Sequence, residues 1–285
     1  MSTTATMPAV KAGLSRGWIE YRQSFSTLQD FFGYFASSLI FLTIAFTLNG
    51  EWDDTGVPVG ATTLAGATGF LLTMSAMVTV AQVLATERED GTLLRSKALP
   101  KGMLGYFVGK TVHIMLITLT SLAILLLPAF VLIDGFSAPG PARLITLVWV
   151  VLLAMLAVAP IGAIIGSLVT NPRLATGVMM VPLMGLMMIS GTFFPITLLP
   201  QWVQWLGQVF PMYWINLGLR SVFLPDASVA VEIGESWRHL EAAGVLGIWA
   251  VVGLIVAPFV LRRMARRESG ARVQAARQRA MQRAY

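Results

Sequence analysis

Cysteine is absent from all 285 residues. Disulfides, thiolate chemistry and cysteine-held metals are therefore excluded. Charge is scarce at 12%, about half the fraction of an ordinary soluble domain. Histidine occurs twice, at His113 and His239, with no motif around either. No metal site is expected, because metal sites need clustered ligands. The long apolar runs carry no acidic residue at their middles. Ion-coupled carriers and channels with charged rings usually need such groups. Paired acids and a Ser/His set are also missing, so membrane catalysis has no visible machinery.

What is abundant is apolar sequence. Hydrophobic residues make up 56%, and mean hydropathy is +0.73. Six apolar segments run over approximately 31–48, 60–84, 106–133, 143–169, 174–195 and 242–261. Each is near the roughly 20 residues that a membrane helix needs. Six crossings put both termini on one side. If that side is cytoplasmic, 17 of the 20 basic residues lie there, including the eight arginines after Leu261. Only Arg143, Arg220 and Arg238 fall outside. Such asymmetry orients a membrane protein and accounts for the pI near 10.1 without nucleic acid. The arginine tail then meets anionic lipid. Residues 1–30 lack the compact apolar core and small-residue site of a cleavable signal peptide.

The flanking segments are patterned. Leu14, Trp18, Tyr21, Phe25, Leu28 and Phe32 recur at helical spacing, which predicts an amphipathic helix along the cytoplasmic membrane surface. Ala85–Pro100, ATEREDGTLLRSKALP, is dense in charge and starts where the second apolar segment ends. A charged helical turn there is expected to dock a soluble partner. Ser190–Arg220 is apolar but broken by Pro195, Pro200 and Pro211, with Trp202, Trp205, Tyr213 and Trp214 between them. These aromatics favour the membrane boundary. The expected form is a re-entrant hairpin in the outer leaflet, packed on protein and acting near an extracellular gate. The fifth segment holds Met179, Met180, Met184, Met187 and Met188, followed by Phe193 and Phe194. Methionine adapts to varied apolar ligands, which points to a lining role.

Gly105–Thr111 imitates a phosphate-binding loop. Its spacing is one residue short, and it opens an apolar helix instead of following a strand. Its glycines, with Gly162 and Gly166, instead form two GxxxG pairs suited to close helix approach.

Glu87-Arg88-Glu89-Asp90-Gly91-Thr92-Leu93, ending at Leu99-Pro100, resembles the coupling segment of ABC-2 type transporter permeases. Ser190-Gly191-Thr192-Phe193-Phe194-Pro195, then Leu199-Pro200, Trp202, Pro211 and Arg220, resembles the family's second signature. The resemblance implies an all-α membrane protein with six transmembrane helices. A cytoplasmic N-terminal segment with an interfacial amphipathic helix occupies 1–30, the six-helix membrane domain 31–261 and a basic cytoplasmic tail 262–285. It implies that Glu87, Arg88, Glu89, Asp90, Gly91, Thr92 and Leu93 couple to a separate ATPase subunit. Met74, Met77, Met184, Met187, Met188, Phe193 and Phe194 would line the path, and Pro195, Pro200, Trp202 and Pro211 would form the gate. ATP and Mg would bind the partner, none binding this chain, which is no enzyme by itself. A second, identical or different, permease chain would complete the path for a drug, antibiotic or lipid-like compound leaving through the plasma (inner) membrane. This chain resembles the drug-resistance branch. The alternatives are a tether or regulator of the same fold and an ion-coupled carrier.

Overall fold

The computed structural model describes residues 6–48, 50–51, 56–89, 102–168 and 172–267. Helices dominate these residues, and the only ladder feature is an isolated bridge between Glu51 and Pro58. The helices are α1 (Thr6–Gln23), α2 (Leu28–Thr47), α3 (Val59–Met74), α4 (Val80–Glu89), α5 (Gly102–Leu132), α6 (Pro141–Leu168), α7 (Pro172–Ile189), α8 (Gln201–Val209), α9 (Pro211–Phe223) and α10 (His239–Arg267). A π-helical turn, Ser75–Thr79, joins α3 to α4 without a break.

Among the described residues, five helical stretches have the length and hydropathy to cross a membrane: Leu28–Thr47, Val59–Thr86, Val108–Leu132, Pro141–Leu168 and His239–Leu261. The protein is therefore an all-helical, multi-pass membrane protein. The segment expected at 174–195 is shorter. Its helix α7 ends at Ile189, where Gly191 turns the chain at φ +59°. The Gly191 and Thr192 amides cap the helix by donating to the Met188 and Met187 carbonyls at 3.2 and 3.3 Å. Eighteen residues rise about 27 Å, just under a bilayer core of about 30 Å.

Composition decides which span lies at the centre. In Val59–Thr86, 72% of the apolar window is buried, against 17–44% in the other four. Its α3 half reads VGATTLAGATGFLLTM, rich in Gly, Ala and Thr, so neighbours approach to the backbone. A Cβ on Gly66 would collide with the Thr192 carbonyl oxygen, and one on Gly69 with the Asn216 amide oxygen. The second GxxxG pair has the same use. Gly162 meets Met77 of the π-turn and Gly166 meets Ala81 of α4.

The N-terminal helix differs from a simple surface anchor. It ends at Gln23, so of the expected apolar stripe Leu14 and Trp18 are exposed on α1, Phe25 is exposed in the turn after it, and Leu28 and Phe32 belong to α2. The opposite face of α1 carries Gly13 and Gly17, which press on Gly105 and Gly109 of α5. A Cβ on Gly13 or Gly17 would lie 2.5 Å from the facing carbonyl oxygen. So the Gly105–Gly109 pair clamps α1 onto a span. The chain then turns at Ser24–Ser26, and Thr27 caps α2 by accepting from the Asp30 amide at 3.0 Å.

Candidate functional site

A cavity of about 580 Å³ opens between α2, the α3–π–α4 helix, α5 and α7. Eight of its fifteen lining residues are polar or charged, among them Tyr34, Ser37, Ser75, Thr79, Gln82 and Lys110. Leu71, Met74, Val78, Ile117 and Met180 supply the apolar part. The π-turn brings Ser75 and Thr79 to this wall, and π-turns inside α-helices frequently mark functional sites.

One wall is braced by charge. Lys110 Nζ donates to Glu20 Oε2 at 2.7 Å, and Arg16 Nε donates to Glu20 Oε1 at 2.8 Å. Burial pushes the Glu20 carboxyl up, but its bonds with Lys110 and Arg16 outweigh this and hold it below its ordinary value. Tyr21 and Thr120 hydroxyls meet at 2.8 Å, and Ser38 Oγ donates to the Ser121 carbonyl at 3.0 Å. Helices α1, α2 and α5 are thereby tied side by side.

At the opposite end of α7 lies a buried lid. Arg220 on α9 is 1% exposed and Glu232 is 3% exposed. Arg220 Nε donates to Glu232 Oε1 at 2.6 Å and Nη2 to Oε2 at 3.1 Å, while Nη1 donates to the Gly191 carbonyl at 3.0 Å. This fork pins the turn after α7 to α9 and to the loop behind it. Asn216 Nδ2 adds a bond to Thr192 Oγ1 at 3.1 Å. All thirteen residues of α9 are buried. Helix α8 turns Trp202 and Trp205 outward, 66% and 63% exposed, and buries Val203 and Gly207.

The residues singled out in the sequence fall in different places. Met74 lines the polar cavity. Met77 is buried against Gly162. Met187 is buried, its sulfur accepting from Thr192 Oγ1 at 3.3 Å. Phe193 stacks on Phe41, ring centres 5.7 Å apart, and tilts against Phe70 at 6.0 Å; Phe194 is half-buried beside it. Met184 and Met188 face outward. Pro195 and Pro211 are buried, and Pro200 and Trp202 exposed. Glu87, Arg88 and Glu89 stand on the last turn of α4. Their side chains, and all of Asp90, Gly91, Thr92 and Leu93, lie outside the described residues.

Sequence reasoning missed Ser75, Thr79 and Gln82, because isolated polar residues in an apolar span have no pattern. Lys110 entered it only as one of the 17 basic residues on one side, and no pattern marked Glu232, although each is a partner in a buried or half-buried ion pair.

The sequence pattern of the ABC-2 type transporter family matches residues 8–224, about three quarters of the chain. This chain belongs to the ABC-2 type transporter family. The matched region takes in nearly all of α1, the cavity, the segment after α4 and the lid as far as the end of α9, but not Glu232. The ABC-2 chain is also 24% identical, over 177 residues, to the probable multidrug ABC transporter permease YbhR of Escherichia coli K12. The same match is found in the O157:H7 strain. That alignment covers 62% of this chain and 47% of the relative, so the chain spans about half the length of the curated relatives it matches.

Proposed function

We propose that this chain is the permease subunit of an ATP-driven exporter and moves an amphipathic compound out of the cytoplasm. The carrying observation is a cavity of mixed lining within a bundle of the ABC-2 family. An apolar cavity with a few placed polar groups suits a ligand with both characters. The relative named a multidrug permease supports a drug, antibiotic or lipid-like cargo.

In this reading α7 is the remaining crossing, and both termini face the cytoplasm of a plasma-membrane protein. Energy comes from ATP and Mg on a separate ATPase subunit, which seats on Glu87–Leu93. A second permease chain packs on the outward face of α7. Support comes from Val181, Met184 and Met188, exposed at helical spacing, and from Gly177 and Gly185, which have open space where a Cβ would stand. The α8–α9 hairpin, with Pro195, Pro200, Trp202 and Pro211, dips into the outer leaflet and gates release. The outward-facing tryptophans of α8 support that placement.

The test is purification from membranes in mild detergent, followed by an assay for ATP hydrolysis and by transport in vesicles of the copurified complex. A copurifying ATPase, and transport that stops when its catalytic site is disabled, is the expected result. Transport that persists without ATP hydrolysis but collapses with the proton gradient would overturn the reading.

A further inference from the structure

A second concavity, of about 620 Å³, lies on the other side of α4 and α5 from the polar cavity. Its walls come from the π-turn, α4, α5, α6 and α10, and its lining is almost wholly apolar. Lys110 reaches it but is committed to Glu20.

Its position along the spans decides what can fill it. On α10 the lining runs from Leu254 to Leu261, the last residue of that crossing. On α5 it runs from Tyr106 to Ile114, at the start of the crossing that begins with Val108. Seven or eight residues rise roughly 11 Å, less than half of a bilayer core of about 30 Å. The groove therefore sits within one leaflet and ends at that leaflet's headgroup level. There α10 continues past Leu261 with Arg262, Arg263, Arg266 and Arg267 before the helix ends. Arg263 is exposed. An apolar slot of less than half a bilayer depth, ending where α10 turns from apolar to arginine-rich sequence with Arg263 exposed, matches an acyl chain below an anionic headgroup.

We propose that this groove is a binding site for an anionic phospholipid of the leaflet next to the arginine end of α10. One acyl chain fills the space between Ile114, Met155 and Leu254, and the headgroup meets Arg263 at the end of the slot. Pro160 and Pro258 help shape the slot from α6 and α10. Val83 and Lys110 line both this groove and the polar cavity. A bound lipid therefore backs one wall of that cavity.

The test uses the full chain in nanodiscs doped with a phosphatidylglycerol carrying a photoreactive group at mid-chain, or its phosphatidylcholine counterpart. Labelled peptides are mapped by mass spectrometry. The expected labels concentrate on the segments holding Ile114 and Leu254. They should be about fivefold stronger with the anionic lipid, the factor that one headgroup–arginine contact supplies. The exposed face of α2, at Ile40 and Ile44, reports ordinary lipid contact. Ala159→Phe fills the slot and should lower groove labelling while leaving α2 labelling unchanged. Replacing the four arginines by glutamine leaves the slot intact and should abolish the headgroup preference. Three results on the wild-type chain would each overturn the proposal: labelling no stronger than on α2, equal labelling by both headgroups, or no labelling because a second copy closes the groove.

Discussion

Arg220 is the residue on which the buried lid beyond α7 depends. Its guanidinium reaches both Glu232 oxygens and the Gly191 carbonyl. Removing one partner from a buried pair leaves the other charge desolvated and costs roughly 3–5 kcal/mol. Glu232→Gln should lower the thermal midpoint of the purified protein accordingly. Arg220→Lys keeps the charge but loses the planar fork. It should be intermediate in the same melt. Glu20 makes a pH prediction. Its carboxyl is held below the ordinary value of 4.5. Folded chain therefore binds fewer protons than unfolded chain near that pH. The stabilising contribution is complete above the ordinary value and is lost as pH falls through the lowered one. Docking of α1 should weaken below about pH 4.5, followed as cleavage by an acid-active protease. Glu20→Gln should be weaker than the parent at neutral pH and should lose this acid dependence.

At the scale of elements, glycine pairs fix which helices touch. Gly17 rests on the Gly109 carbonyl, and no side chain fits between them. Gly17→Leu should lever α1 off α5. Trypsin cleavage after Arg16 and Arg22 should then rise several-fold, while the spans remain folded. The π-turn has a different role. It sets the angular offset between α3 and α4, and one residue in an α-helix turns about 100°. Deleting Ala76 should rotate Met77 away from Gly162 and α4 away from Gly166 of α6, and move Gln82 off the cavity. A lowered thermal midpoint with unchanged helix content by circular dichroism is the expected outcome.

For the whole molecule, the proposed coupling predicts a separation of folding from association. Glu87→Ala with Arg88→Ala should leave the thermal midpoint within about 1 kcal/mol equivalent of the parent, as for surface changes generally. The same double substitution should reduce ATPase copurification. Normal copurification would remove the coupling assignment. Five of the six expected spans and the family were legible in the sequence because long apolar runs and two local signatures need no knowledge of neighbours. The site was less legible. Met74, Met77, Met184, Met187 and Met188 looked alike in the sequence, yet they divide among a cavity wall, the core and the outer face.

Hydrophobicity and charge asymmetry, properties of the chain itself, determined that this protein is a bundle of membrane helices with a basic end. They act on each segment independently, through its transfer from water to lipid. Tertiary structure decided that Gly13 and Gly17 face Gly105 and Gly109, that Ser75 and Gln82 share a cavity with Lys110, and that Arg220 closes on Glu232. Each of these joins residues from separate elements. Burial within a bundle depends on where backbones approach closely enough to exclude a side chain, and no single segment carries that information.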